Sequence, residues 1–139
     1  MVILSVDLGQ VRTGIAISDK NEILASPLCV IEERDQIKLS DKILGIIKEY
    51  KAEKIVIGLP RNMDGSEGSS AQNARHFAEI LKDKTKLTVD MQDERGTTVT
   101  AHSYLNKTNT RGKKRKAVID SVAAVIILQD YLDSINNHK

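Results

Sequence analysis

The chain has no tryptophan, one phenylalanine and three tyrosines in 139 residues. A surface that grips its partner by stacking many unpaired rings is therefore excluded. Its single cysteine, Cys29, cannot form an internal disulfide and has no Cys or His at ligand spacing, which excludes a disulfide scaffold and a zinc module. Set in an apolar, strand-like segment, it reads as a small core residue. With two prolines and eight glycines, neither a disordered linker nor a collagen-like repeat is indicated. No apolar run approaches the roughly 18 residues of a membrane span. The opening MVILSVDLG has no basic leader, so a cytoplasmic protein is expected.

What remains is an ordinary globular composition, 40% hydrophobic and 29% charged. A chain of this length is one domain's worth and can bury a core without cross-links, so one domain over residues 1–139 is expected. The net charge of +2 hides an uneven distribution. Arg111-Gly112-Lys113-Lys114-Arg115-Lys116 holds five of the 21 basic residues, leaving 16 basic against 19 acidic elsewhere, a net of −3. A mildly acidic body with one concentrated basic segment suits a polyanionic partner. A solvated surface loop is the plain alternative.

The hydrophobic periods outline the elements. Val2 to Val6, Thr13 to Ser18 and Ile23 to Glu32 read as three strands joined by tight turns, with Pro27 marking the third as an edge strand. Asp35 to Tyr50 has the spacing of a helix, through Leu39, Ile43, Leu44 and Ile47, and Lys54 to Gly58 follows as a buried strand. After a loop, Ser69 or Ser70 is expected to cap a helix whose Ala71, Ala74, Phe77, Ala78 and Leu81 share one face. Leu87 to Gln92 is a further strand. Thr97 or Thr98 could cap a short helix to about Leu105, and residues 106–116 read as a polar, basic connection. Ala117 to Ile135 is a long core helix. The order implies an α/β domain with a mixed five-stranded sheet, three antiparallel strands extended by two parallel ones, flanked by helices.

Three acidic positions stand out against this frame. Asp7 closes the first strand, Asp93-Glu94 closes the last, and Asp120 lies on a helical stripe with Ala123, Ala124, Ile127 and Tyr131. Ligand crevices in open α/β sheets form outside the carboxyl ends of strands. Acids that meet there repel unless a cation is present. Hard oxygen donors suit Mg²⁺ or Mn²⁺, ions that also take phosphate oxygens as ligands, so phosphodiester hydrolysis is chemistry this set could perform. Asp120 could equally be a first-turns acid favoured by the helix dipole, or one paired with a buried cation.

Four ordered segments, DLGQVRTGIAISD, IVIGLPRNMDGSEG, DERGTT and KAVIDSVAAVIILQDYLD, together resemble the YqgF/RuvX family of Holliday-junction resolvases and pre-16S ribosomal RNA nucleases. The resemblance runs from about residue 3 to 133. It implies an RNase H-like fold and a divalent-metal nuclease whose catalytic, metal-holding acids fall on Asp7, Glu94 and Asp120, with Mg²⁺ or Mn²⁺ as cofactor. Glu94 is preferred over Asp93 because relatives of this fold commonly use the acid just past this strand. The sequence departs from the family's usual pattern at Val11, where a basic residue is common, and at Gly96, where a larger apolar residue is common.

Arg12 and Arg95 beside those acids, and Arg111, Lys113, Lys114, Arg115 and Lys116 before the last helix, are candidates for neutralising phosphate charge; for Arg12 and Arg95, ion pairing with the neighbouring acids is the alternative. The expected partner is structured RNA or branched DNA held through phosphates and duplex shape, by a monomer or weak homodimer. The expected function is maturation of the 5′ end of pre-16S ribosomal RNA. Holliday-junction resolution and a non-catalytic nucleic-acid-binding factor are the alternatives.

Overall fold

A computed structural model describes residues 1–60, 68–93 and 112–137, with the side chains of the last helix described over 122–136. Five strands, β1 (Ile3–Asp7), β2 (Arg12–Ser18), β3 (Ala25–Glu32), β4 (Lys54–Leu59) and β5 (Thr88–Asp93), form a sheet in the order β3-β2-β1-β4-β5. β1 pairs antiparallel with β2 and β2 with β3, whereas β4 lies parallel to β1 and β5 parallel to β4. This is the expected mixed sheet. Pro27 lies on an edge strand, as its missing N–H requires, beside a register shift where Ile15 pairs with Cys29 but Ala16 with Pro27. Cys29 itself is half-buried on that edge and packs against the core, and burial pushes its thiol pKa up.

The central strand β1 is buried on both faces because helices cover both. Leu4, Val6, Ile15, Ile55 and Ile57 point to one side, where they pack with helices α1 (Gln36–Tyr50) and α2 (Ser69–Thr85) around Phe77. The residues between them, Ile3, Ala16 and Val56, point to the other side and meet Ala124, Ile127, Leu128 and Leu132 of helix α3 (Gly112–Asn137). Alternation along each strand thus sorts the apolar residues into two cores. Among the described residues no helix is long and apolar enough to cross a membrane.

Local chemistry sets the helix ends. Asp35 caps α1, its carboxylate accepting from the backbone N–H of Ile37 at 2.8 Å and of Lys38 at 3.1 Å. α2 departs from expectation. Its cap is Gly68, with no side-chain hydrogen bond, and Ser69 and Ser70 are already helical. The expected face of α2 is otherwise buried, from Ala71 to Leu81. Both α1 and α2 end on a lysine in the left-handed conformation, Lys51 and Lys86.

The larger correction concerns α3. The basic run was expected as a connection ahead of a helix starting near Ala117, yet the helix begins at Gly112 and Lys113, Lys114, Arg115 and Lys116 are part of it. Lysine and arginine are good helix formers. A run without apolar residues has no period to announce the helix. The expected short helix after Thr97 or Thr98 lies outside the described residues.

Candidate functional site

β1, β4 and β5 run in one direction, so their carboxyl ends share one edge of the sheet. Asp7 closes β1 there, half-buried, and engages other groups of the protein. Asp93 closes β5 two strands away, exposed, which puts the two backbones roughly 10 Å apart across the sheet at about 4.8 Å per strand. Asp93 also has interactions of its own. Glu94, Arg95 and Arg111 lie outside the described residues.

The direction of α3 determines which part of it reaches this edge. The hydroxyl of Ser5, fully buried in the centre of β1, donates to the backbone carbonyl of Ala124 at 2.8 Å. Seven residues further along the helix, the Tyr131 hydroxyl donates to Asp90 Oδ2 at 2.6 Å, and Lys54 Nζ lies 3.0 Å from the same oxygen and 5.0 Å from the ring centroid. Lys54 pairs in register with Ile3 at the start of β1. The helix therefore runs opposite to β1, its C-terminal half over the amino ends of the strands. Three further hydrogen bonds hold it there. Gln129 accepts from the N–H of Ala25 at 3.0 Å and donates to the carbonyl of Ile23 at 2.9 Å, and Asn136 donates to the carbonyl of Glu22 at 2.9 Å.

From the Ser5–Ala124 contact two paths lead to the carboxyl edge. Asp7 is two residues beyond Ser5 on the same sheet face, about 6.6 Å along the strand. Residue 120 is one helical turn before Ala124, about 6 Å along the axis and toward the same edge. The backbone thus brings positions 7 and 120 to one end of one helix–sheet interface. The basic residues 113–116 occupy the turns that precede position 120. Among the described residues no three His, Cys, Asp or Glu side chains meet as a metal site. Of the three proposed ligands, the side chain of Asp7 is the one described.

The turn linking β1 to β2 is closely packed. A methyl group on Gly9 would fall 2.0 Å from the carbonyl oxygen of Arg12. The Gly9 N–H donates to the buried Thr13 hydroxyl at 3.4 Å. Arg12, at the start of β2, pairs through Nε with Glu32 Oε1 on β3 at 3.4 Å. Glu32 is mostly exposed whereas Arg12 is mostly buried, so the pair is partly screened by solvent on the Glu32 side.

Two features of the structure have no forerunner in the sequence. The Lys54–Asp90–Tyr131 cluster joins residues from three elements. Burial raises the Asp90 pKa, but the Tyr131 hydroxyl and the Lys54 ammonium outweigh it and hold the carboxyl below its ordinary range. The second is a cleft of about 220 Å³ on the opposite face of the sheet from α3, beginning at Leu8. Its residues come from the β1–β2 turn, the β3–α1 connection and the amino-terminal parts of α1 and α2, and no spacing in the chain relates them.

Residues 1–134 match the family model described as RuvX: Holliday junction resolvase. The chain belongs to the RuvX family. A relative from Clostridium novyi (strain NT) is 38% identical over 135 residues, covering 97% of this chain and all of the relative. Another from Bacillus thuringiensis (strain Al Hakam) is 44% identical over 137 residues, covering 96% and 99%. Both carry the name "Putative pre-16S rRNA nuclease". Among solved structures, Thermus thermophilus RuvC in complex with a Holliday junction substrate superposes with a TM-score of 0.62 at 13% identity, over 99% of this chain and 96% of that one. The fowlpox virus resolvase in complex with its substrate Holliday junction DNA gives 0.61 at 12% identity, over 97% and 99%. At these identities the superpositions establish that the RuvX chain shares the resolvase fold.

Proposed function

We propose that this RuvX-family protein is a divalent-metal-dependent endonuclease of structured nucleic acid, a single RNase H-like domain over residues 1–139 that acts in the cytoplasm to mature the 5′ end of pre-16S ribosomal RNA. The observation that carries the reading is that β1 and α3 run in opposite directions past the Ser5–Ala124 contact, so that position 7 at the end of β1 and position 120 near the beginning of α3 fall at one edge. The relatives named for pre-16S rRNA favour the ribosomal substrate.

In this reading Asp7, Glu94 and Asp120 hold Mg²⁺ or Mn²⁺. The donor set fits such ions, being hard carboxylate oxygen throughout. When bound, the metal supplies an activated water and charge stabilisation at the scissile phosphate. Asp7 is carried on a fully buried strand and needs little reorganisation to act as a ligand. Arg12 and Arg95 neutralise phosphate oxygens near the cut, and Arg111, Lys113, Lys114, Arg115 and Lys116 grip the backbone further along. Resolution of four-way DNA junctions is the second reading, favoured by the shared fold with junction-bound resolvases.

The decisive experiment incubates the pure protein with Mg²⁺ or Mn²⁺ and, in parallel, a pre-16S RNA 5′ segment and a synthetic four-way junction. Cleavage of the RNA is expected, with Asp7→Asn and Asp120→Asn abolishing cleavage but not binding. Cleavage that survives both substitutions overturns the assignment of the acids. Cleavage of the junction alone favours the second reading.

A further inference from the structure

The cleft that begins at Leu8 belongs to no part of the proposed metal site, yet it opens one residue from Asp7. Consecutive strand residues face opposite ways, so Asp7 and Leu8 lead to opposite faces of the same strand end. On the Leu8 side, Leu8 supplies the apolar wall, Leu39 lies beneath as a nearly inaccessible floor, and Gln10, Gln36 and Asn73 supply side-chain amides. Glu33 and Arg34 both border the cleft, so their formal charges cancel. Among the described residues no hydrogen bond engages the amides of Gln10, Gln36 or Asn73.

Size and chemistry narrow the occupant. At about 220 Å³ the space falls below the roughly 300–1,000 Å³ of sites for drug-sized ligands. It takes a single flat ring system rather than a strand. A phosphate is disfavoured by Glu33, whose carboxyl is held ionised by the Asp35 N–H and the Lys42 ammonium. What suits an apolar wall and floor faced by amides, each both donor and acceptor, is a neutral planar heterocycle with a mixed hydrogen-bonding edge.

We propose that this cleft receives one unpaired nucleobase of the substrate, next to the scissile phosphate, against Leu8 and over the Leu39 floor, with its edge read by Gln36 and Asn73. The proposal rests on the nuclease reading for its substrate and adds to it a second recognition element besides the phosphate backbone. Extruding a base is costly in a perfect duplex and less so at a bulge or junction. The cleft therefore selects structured substrates with an unpaired or strained nucleotide over plain duplex. It also supplies from aliphatic and amide groups what a chain with so few aromatics cannot supply by stacking.

The test is binding without divalent metal, so that cleavage plays no part. Two duplexes of equal length are labelled with 2-aminopurine, one fully paired and one with the label as a single unpaired base, each prepared as RNA and as DNA. The double variant Gln36→Ala/Asn73→Ala is expected to lower affinity for the unpaired-base duplex about tenfold more than for the paired one, as loss of two amide contacts would. Gln10→Ala, on an exposed turn, provides a smaller change of the same kind should the double variant lose thermal stability. A selective loss in either nucleic acid supports the proposal and names the source of the base. Equal effects on paired and unpaired duplexes in both arms, or none, overturn it. Because Asp7→Asn tests cleavage separately, a failure here leaves the nuclease reading standing, and a failure of that reading shows in the cleavage assay rather than in this binding comparison.

Discussion

Replacing Gly9 by alanine isolates how tightly the turn beside Asp7 is packed. The added Cβ would stand 2.0 Å from the carbonyl oxygen of Arg12 and 3.1 Å from its carbonyl carbon, and real Cβ atoms essentially never come within 3.0 Å of such an atom. The turn must open by about 1 Å, and the obstacle is backbone rather than a side chain that can swing aside. Arg12 is paired with Glu32 in the β2–β3 ladder, and the neighbouring Val11 carbonyl accepts from Glu33 N–H at 2.8 Å, so the shift propagates into strand pairing. Overpacking of this kind costs about 1–3 kcal/mol, against a gain of about 0.4–1 kcal/mol from restricting the unfolded chain. The net is a destabilisation of up to roughly 2.6 kcal/mol, which at about 3–5 °C per kcal/mol for a chain of this size lowers Tm by up to about 13 °C. Differential scanning calorimetry of Gly9→Ala against the parent measures this directly. A Tm above the parent's would refute the steric reasoning, since only the unfolded-state gain would then be left.

The Tyr131 hydroxyl helps hold the Asp90 carboxyl below its ordinary range, so its contribution is present at neutral pH and lost as pH falls through the folded-state pKa. Tyr131→Phe should accordingly lower the urea midpoint at pH 7 by an amount equivalent to about 1 kcal/mol, discounted for the exposure of Asp90, and the gap between variant and parent should narrow at pH 3. Removing the α1 cap with Asp35→Ala should destabilise by about 1 kcal/mol in the same denaturation assay, by leaving the N–H groups of Ile37 and Lys38 without their carboxylate partner. Exchanging Lys114 and Arg115 for glutamine should lessen the slope of log K against log salt for duplex DNA by about 1.8, read by filter binding between 50 and 200 mM salt. An unchanged slope would remove this stretch of α3 from the phosphate-binding surface.

Ala71, Ala74, Phe77, Ala78 and Leu81 could be read as one helical face because burial imposes a period of 3.6, and every one of them is buried. Pro27 could be assigned to an edge because its ring removes a donor wherever it stands. The same local logic failed where no period exists. Residues 112–116 look like a loop although they are helical, and Ser69 and Ser70 resemble caps although Gly68 precedes them as the cap. For the candidate site, an acid at the end of an apolar run was enough to single out Asp7.

The linear chain by itself determined the kinds of elements, the mixed sheet and the acids worth suspecting, since each follows from interactions among near neighbours or from a repeating pattern of burial. Only tertiary structure decided that α3 runs opposite to β1 and in what register, because that depends on contacts such as Ser5 to Ala124, 119 residues apart. The cleft at Leu8 belongs to the same class. Its residues come from separate parts of the chain, and a cavity is a property of how surfaces meet, which no single segment encodes.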